Sequence, residues 1–181
     1  MGVSRNIGRS ICNQGEFFRM NICRILKEGE GRKVRWITRE AYMLDIGLFG
    51  EEDYCIHIDT EFEVIWNGEL YTGTFDMDDG KDSFFDQKIR RLMSGRELYL
   101  NSISVNEDYM LYLEFDNSLV IHTNYCPDLR SDDEIWRIVY HWSTKDALIA
   151  YPTEIEVEKC PFTEEELRDL KSKMDERKGK T

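Results

Sequence analysis

The stretch Phe62-Glu63-Val64-Ile65-Trp66-Asn67-Gly68-Glu69-Leu70-Tyr71-Thr72-Gly73-Thr74-Phe75 decides the fold class. Its two flanks are short and rich in β-branched and aromatic residues, and Asn67-Gly68 stands between them. Both central residues of a two-residue type I′ turn need positive φ, which Asn and Gly adopt at least cost, so the stretch predicts a β-hairpin. Upstream, residues 42–49 and 54–59 have the same composition and are bounded by Gly47, Gly50 and the acidic Glu51-Glu52-Asp53. They read as strands. Earlier still, 22–26 and 34–38 alternate about Glu28-Gly29-Glu30-Gly31, which predicts a further hairpin. Downstream, strands are predicted at 97–105, 109–115, 119–123, 135–142 and 147–151, with a tight turn at Asp116-Asn117.

Two segments switch to helical spacing. Ser83 and Asp86 open one, Phe84, Phe85, Ile89, Leu92 and Met93 fall near one face, and Gly95 closes it, which predicts a short helix over 83–94. After Pro161, Thr163 and Glu166 form a capping box, three glutamates fill the first turn, and Leu167, Leu170 and Met174 make an apolar stripe. This predicts a helix over 164–177. The expected fold is α+β and mostly antiparallel β: two similar β-meander units, a short middle helix and a C-terminal helix. Residues 1–20 read as a flexible basic segment. Residues 21–181 read as one domain, with two related halves at about 21–95 and 96–160 and the helix 164–177 after them.

Bulk properties exclude several classes. A chain of 181 residues is long enough to bury a core without staples, and 41% hydrophobic content is that of a folded protein. Five widely spaced cysteines, Cys12, Cys23, Cys55, Cys126 and Cys160, form no C-x-x-C pair, which argues against a disulfide framework and a structural zinc site. No run approaches the roughly 18 apolar residues of a membrane helix, so a cytoplasmic location is expected. Residues 1–40 hold nine Lys/Arg against four Glu; of the 24 basic and 36 acidic residues this leaves fifteen against thirty-two, a net −17 over 41–181. Such a body repels nucleic-acid phosphates and anionic lipid and attracts a basic protein.

The chain also echoes itself. Tyr42-Met43-Leu44 returns as Tyr109-Met110-Leu111, Ile56-His57-Ile58-Asp59 as Ile121-His122-Thr123-Asn124, and Glu61-Phe62-Glu63-Val64-Ile65 as Glu134-Ile135-Trp136-Arg137-Ile138. Equivalent antiparallel strand sets are expected, with His57 and His122 at matching positions. Those two histidines are also candidates for the walls of a cleft between the units. His57, His122 and His141 lack the spacing of a metal set, and no cofactor is expected. The acidic loop Asp76-Met77-Asp78-Asp79-Gly80-Lys81-Asp82 misses the EF-hand pattern, with Gly80 and Lys81 at its fifth and sixth positions and Gln87 in place of the bidentate Glu. Nucleotide-binding and hydrolase motifs are absent.

Of four tryptophans, Trp36, Trp66, Trp136 and Trp142, Trp136 follows Asp132-Asp133-Glu134. Asp128, Asp132, Asp133 and Glu134 with Trp136 read as a surface for a partner's Arg and Lys, since carboxylates beside an aromatic ring pair and desolvate a cation. The runs Arg39-Glu40-Ala41-Tyr42-Met43-Leu44, Phe49-Gly50, Tyr54-Cys55-Ile56-His57, Phe62, Asp76-Met77, Phe115-Asp116-Asn117-Ser118-Leu119 and Glu134-Ile135-Trp136-Arg137 resemble a family of small uncharacterised bacterial proteins. Many of these are similar to immunity proteins of contact-dependent or polymorphic toxin systems. The resemblance spans roughly residues 20–158 and implies an acidic inhibitor of a basic toxin or enzyme, with no catalytic residue. The competing expectation is a small enzyme or ligand-binding protein.

Overall fold

The structure is a computed structural model that describes residues 16–50, 53–78, 82–141 and 143–178. The leader 1–15, Glu51-Glu52, Asp79-Gly80-Lys81, Trp142 and residues 179–181 lie outside the described residues, as do the side chains of residues 16–19, 141 and 174–178. Among the described residues the chain forms α1 (Glu16–Glu28), β1 (Val34–Glu40), β2 (Met43–Leu48), β3 (Asp53–Ile58), β4 (Phe62–Trp66) and β5 (Glu69–Gly73). There follow α2 (Phe84–Met93), β6 (Leu100–Val105), β7 (Leu111–Phe115), β8 (Leu119–Thr123), β9 (Trp136–His141), β10 (Ala147–Ala150), β11 (Ile155–Glu158) and α3 (Glu164–Lys178). All named strand pairs are antiparallel, in two sheets ordered β1-β2-β3-β9-β10-β11 and β5-β4-β8-β7-β6. The fold is α+β and mostly antiparallel β.

The Asn67-Gly68 turn closes β4 onto β5 with Trp66 opposite Glu69, and its φ values of 54° and 80° are those the sequence required. Ser83 caps α2 with a full capping box, its hydroxyl accepting from the Asp86 amide. Thr163 and Glu166 do the same for α3. The expected strand at 22–26 is corrected: these residues belong to α1, which begins at Glu16 inside the stretch read as flexible. Ile22, Ile25 and Leu26 are all buried, and their spacing of three and one is that of a helix face, which outweighs the short alternation.

The two halves correspond strand by strand in sheet order, β1-β2-β3-β9-β10 matching β6-β7-β8-β4-β5. β3 pairs with β9 so that His57 faces Arg137, and β8 pairs with β4 so that His122 faces Glu63. β1 carries a bulge between Val34 and Trp36, β6 one between Leu100 and Ser102. Around the isolated bridge Lys33–Tyr99, the Val34 amide donates to the Leu98 carbonyl at 2.7 Å and the Leu100 amide to the Arg32 carbonyl at 2.9 Å. At the other end the Asp59 amide donates to Ile135 (2.9 Å) and the Asn124 amide to Glu61 (2.8 Å). The two units are interleaved: β4–β5 of the first completes the second sheet, and β9–β10 of the second completes the first.

One hydrophobic core lies between the sheets, built from alternating residues such as Leu44, Ile46, Ile56 and Ile138 of one sheet and Val64, Leu111, Leu113 and Ile121 of the other. Ile22 and Ile25 of α1 and Phe85, Ile89 and Leu92 of α2 join it. At its C-terminal end α1 is fastened by Glu28, which accepts from the Tyr140 hydroxyl at 2.8 Å and from Lys145 at 2.9 Å. Desolvation pushes this carboxyl up, but the two donors outweigh it and hold it below the usual Glu range. A folded-state pKa below the unfolded one stabilises at neutral pH, and that stabilisation is lost as pH falls through the folded value. In urea titrations, Glu28→Gln is therefore expected to be less stable than the parent at pH 7, with the gap closing below about pH 4.5; a gap that stays constant with pH would show that the carboxylate charge does not anchor α1.

Candidate functional site

The acidic loop runs from Asn124 to Ile135, between β8 and β9. Its shape comes from one residue: Asp133 accepts from the Arg130 amide at 2.8 Å and from the Arg130 guanidinium at 3.0 Å, while its own amide donates back to the Arg130 carbonyl. These hydrogen bonds hold the Asp133 carboxyl below the usual Asp range. Glu134 grips Arg137 of β9 with both oxygens. So two of the four carboxylates expected at a partner surface are engaged within the chain. Asp128 is exposed, and Asp132 is 76% exposed with Arg130 at 3.8 Å.

Trp136 corrects the expectation placed on it. It is 0% exposed, sits in the central core, and its indole donates to the Tyr109 carbonyl at 2.7 Å. Its neighbours Arg137 and Ile138 alternate out and in, which puts Trp136 on the core face although acidic residues precede it. The ring offered to solvent on this loop is Tyr125, 67% exposed. Its signal in the sequence was its position just past the last inward residue of β8 and before Cys126-Pro127, where alternation had ended.

His57 and His122 occupy equivalent positions but share no cleft. His57 lies between the inward Ile56 and Ile58, and His122 between the inward Ile121 and Thr123, so each projects from the outer face of a different sheet. On the first sheet the row Thr38, Asp45, His57, Arg137, Ile149 and Glu156 crosses all six strands. Asp45 accepts from the Trp36 indole at 2.9 Å, and its other oxygen, buried and without a hydrogen-bond partner, faces His57 Nε2 at 3.6 Å. Trp36 lies flat over Gly47, where a Cβ would come within 2.2 Å of the indole. Beside it Cys55 is 0% exposed, and burial, with Asp45 and Asp53 nearby, pushes its thiol up to about 12. It is therefore a buried, unreactive thiol at neutral pH. On the second sheet His122 stacks on Tyr112 at 5.4 Å and points Nε2 at Glu63, 3.4 Å away.

Two further features complete the surface. Asp59, exposed but partly desolvated by the atoms around it and set beside Glu134, has its carboxyl raised above the usual Asp range, Arg137 opposing. Under α3 lies a largely apolar pocket of about 390 Å³, walled by Val139, Ala147, Phe162, Leu167 and Leu170, with Lys145 and Lys159 at its rim. Both lysines are engaged, Lys145 with Glu28 and Lys159 with Asp146 at 2.5 Å. Among the described residues no three His, Cys, Asp or Glu side chains converge as metal ligands, and no helix is long and apolar enough to cross a membrane.

Because Trp136 is a core residue, Trp136→Phe is expected to lower stability by about 1–3 kcal/mol, the cost of leaving the Tyr109 carbonyl without its donor. Binding of any protein partner should be unchanged. Weakened binding at full thermal stability would return the ring to the interface. No known protein family, curated protein or solved structure matches this chain.

Proposed function

We propose that this chain is a non-enzymatic, cytoplasmic interaction protein, an immunity-type inhibitor that covers the active surface of a basic toxin or enzyme. The observation that carries the reading is the loop 124–135, where Arg130 and Asp133 brace a turn that presents Tyr125, Asp128 and Asp132 to solvent. An exposed aromatic ring beside exposed carboxylates suits a partner's Arg or Lys, and the chain's net charge of −12 accelerates encounter with a cationic surface. A braced loop also loses little conformational entropy on binding. Asp133 and Glu134 act inside the loop as its supports.

A second reading, a protein that binds a small apolar ligand, is favoured by the pocket under α3, whose volume falls in the range of small-molecule sites. Its place differs from the cleft that His57 and His122 were expected to line.

The test is the association rate with a basic partner co-purified from the source cell at low salt. Asp128→Lys with Asp132→Lys removes exposed carboxylates only, so the fold is expected to persist while association slows about tenfold or more at low ionic strength and its salt dependence flattens. An unchanged rate removes the loop from the interface, and the absence of any basic partner favours the ligand-binding reading.

A further inference from the structure

The two sheets are equivalent in register but differently covered on their outer faces. On the first sheet Cys55 and Ile149 are 0% and 5% exposed without belonging to the central core. There Leu167 and Leu170 of α3 line one pocket with Val139 and Ala147. β11 and α3 come after β10, and the first unit has no counterpart: β5 leads through a 3-10 turn at Thr74–Asp76 into α2. On the second sheet, the register of β8 with β4 puts Ile65 where β9 has Val139. Around it lie Leu70 and Val120, directly paired with it across the strands. Leu70 is 56% exposed and Tyr112 37%, and neither Ile65 nor Val120 packs into the core. The helix that packs on this sheet, α2, meets it from the core side, where Phe85, Ile89 and Leu92 join the core.

Charge separates the two faces as well. The outer face of the first sheet mixes signs: Arg35 meets Asp53 at 3.1 Å and Arg137 grips Glu134. In the second sheet the symmetry-related position of Arg137 is Glu63, and Glu114 lies two strands away beside Val120. Two rows cross the sheet: Glu63, His122, Tyr112 and Ser104, and Leu70, Ile65, Val120, Glu114 and Ser102. None of these nine residues is Lys or Arg. An apolar strip edged by carboxylates and free of cations complements one kind of element, a helix that is apolar on one side and basic on the other. On the equivalent face, Leu167 and Leu170 of α3 share a pocket with Val139 and Ala147.

We infer that the outer face of the sheet β5-β4-β8-β7-β6 is a docking surface for a basic amphipathic helix of a partner protein, seated on Ile65, Leu70, Val120 and Tyr112 with its cations toward Glu63 and Glu114. The inference rests on the basic-partner reading above and assigns it a second surface, separate from the loop 124–135. A second copy of this chain is a poorer occupant, because each copy carries a net charge of −12 and would set carboxylates against carboxylates.

The probe is an 18-residue Leu/Lys peptide with leucine on one helical face and lysine on the other, titrated into the ¹⁵N-labelled protein; a scrambled peptide of the same composition controls for general attraction to an acidic protein. The expected result is amide shift changes centred on Ile65, Leu70, Tyr112 and Val120, affinity at least tenfold above the scramble, and at least tenfold loss in Leu70→Lys/Tyr112→Lys. Both positions are exposed, so the fold should hold; if that variant's own spectrum is disturbed, Glu63→Lys/Glu114→Lys provides the same reading. Equal binding of the scramble, shifts at the pocket under α3, or a self-association that Leu70→Lys/Tyr112→Lys abolishes would each overturn the inference. Binding that is lost only in Asp128→Lys/Asp132→Lys would overturn it while leaving the basic-partner reading standing, whereas no binding in any form would sink both.

Discussion

Two antiparallel pairings, β3 with β9 and β8 with β4, are what the rest of the molecule depends on. Each joins strands from different halves of the chain, so neither half completes its sheet or its core alone. A unit of some 65 residues buries too small a fraction of its surface to be comfortably stable, and exchanging terminal hairpins lets two such units share one core. The same exchange gives each sheet strands from both sides of residue 95. It also places the matched histidines: His57 projects from the outer face of one sheet and His122 from the outer face of the other, with the core between them.

How much of this could be read from the chain followed the range of the interactions. The Asn67-Gly68 hairpin, α2 and α3 were legible because their determinants lie within four residues: positive φ at a turn and reciprocal capping hydrogen bonds. The histidine echo was legible too, yet the exchange of hairpins was not, since no local signal says which of two equivalent strands a hairpin will pair with. α1 was misread although it carried a signal: Phe17-Phe18-x-x-x-Ile22-x-Arg24-Ile25-Leu26 returns as Phe84-Phe85-x-x-x-Ile89-x-Arg91-Leu92-Met93. Matching a helix already read at 84–93 to its earlier copy would have removed the false strand.

The candidate site was legible in charge and not in geometry. Acidity at Asp128, Asp132, Asp133 and Glu134 is a property of the residues, but which of them reach solvent depends on Arg130 and Arg137, which draw Asp133 and Glu134 into the protein's own structure. Trp136 failed as a surface residue for the same reason. Its acceptor, the Tyr109 carbonyl, belongs to a residue 27 positions away with φ of 61°, and a left-handed residue aimed at an indole is visible only once the strands are in place.

Near-symmetry makes the departures from symmetry informative. A repeated unit needs the same inward residues twice, and the inward positions do repeat: Leu44 and Leu111, Ile46 and Leu113, Ile56 and Ile121 all sit in one core. The core imposes no such demand on the outward positions, so their divergence reflects what each face meets. One face acquired β11 and α3 and a set of mutually paired charges; the other kept Leu70 and Tyr112 exposed beside carboxylates. Exposed leucine and tyrosine do not help the core, and Glu63 and Glu114 meet only His122 and the Ser102 hydroxyl, with no Lys or Arg opposite them in the strand register. A face that keeps leucine and tyrosine in solvent is the one on which contacts beyond the fold have most room to act.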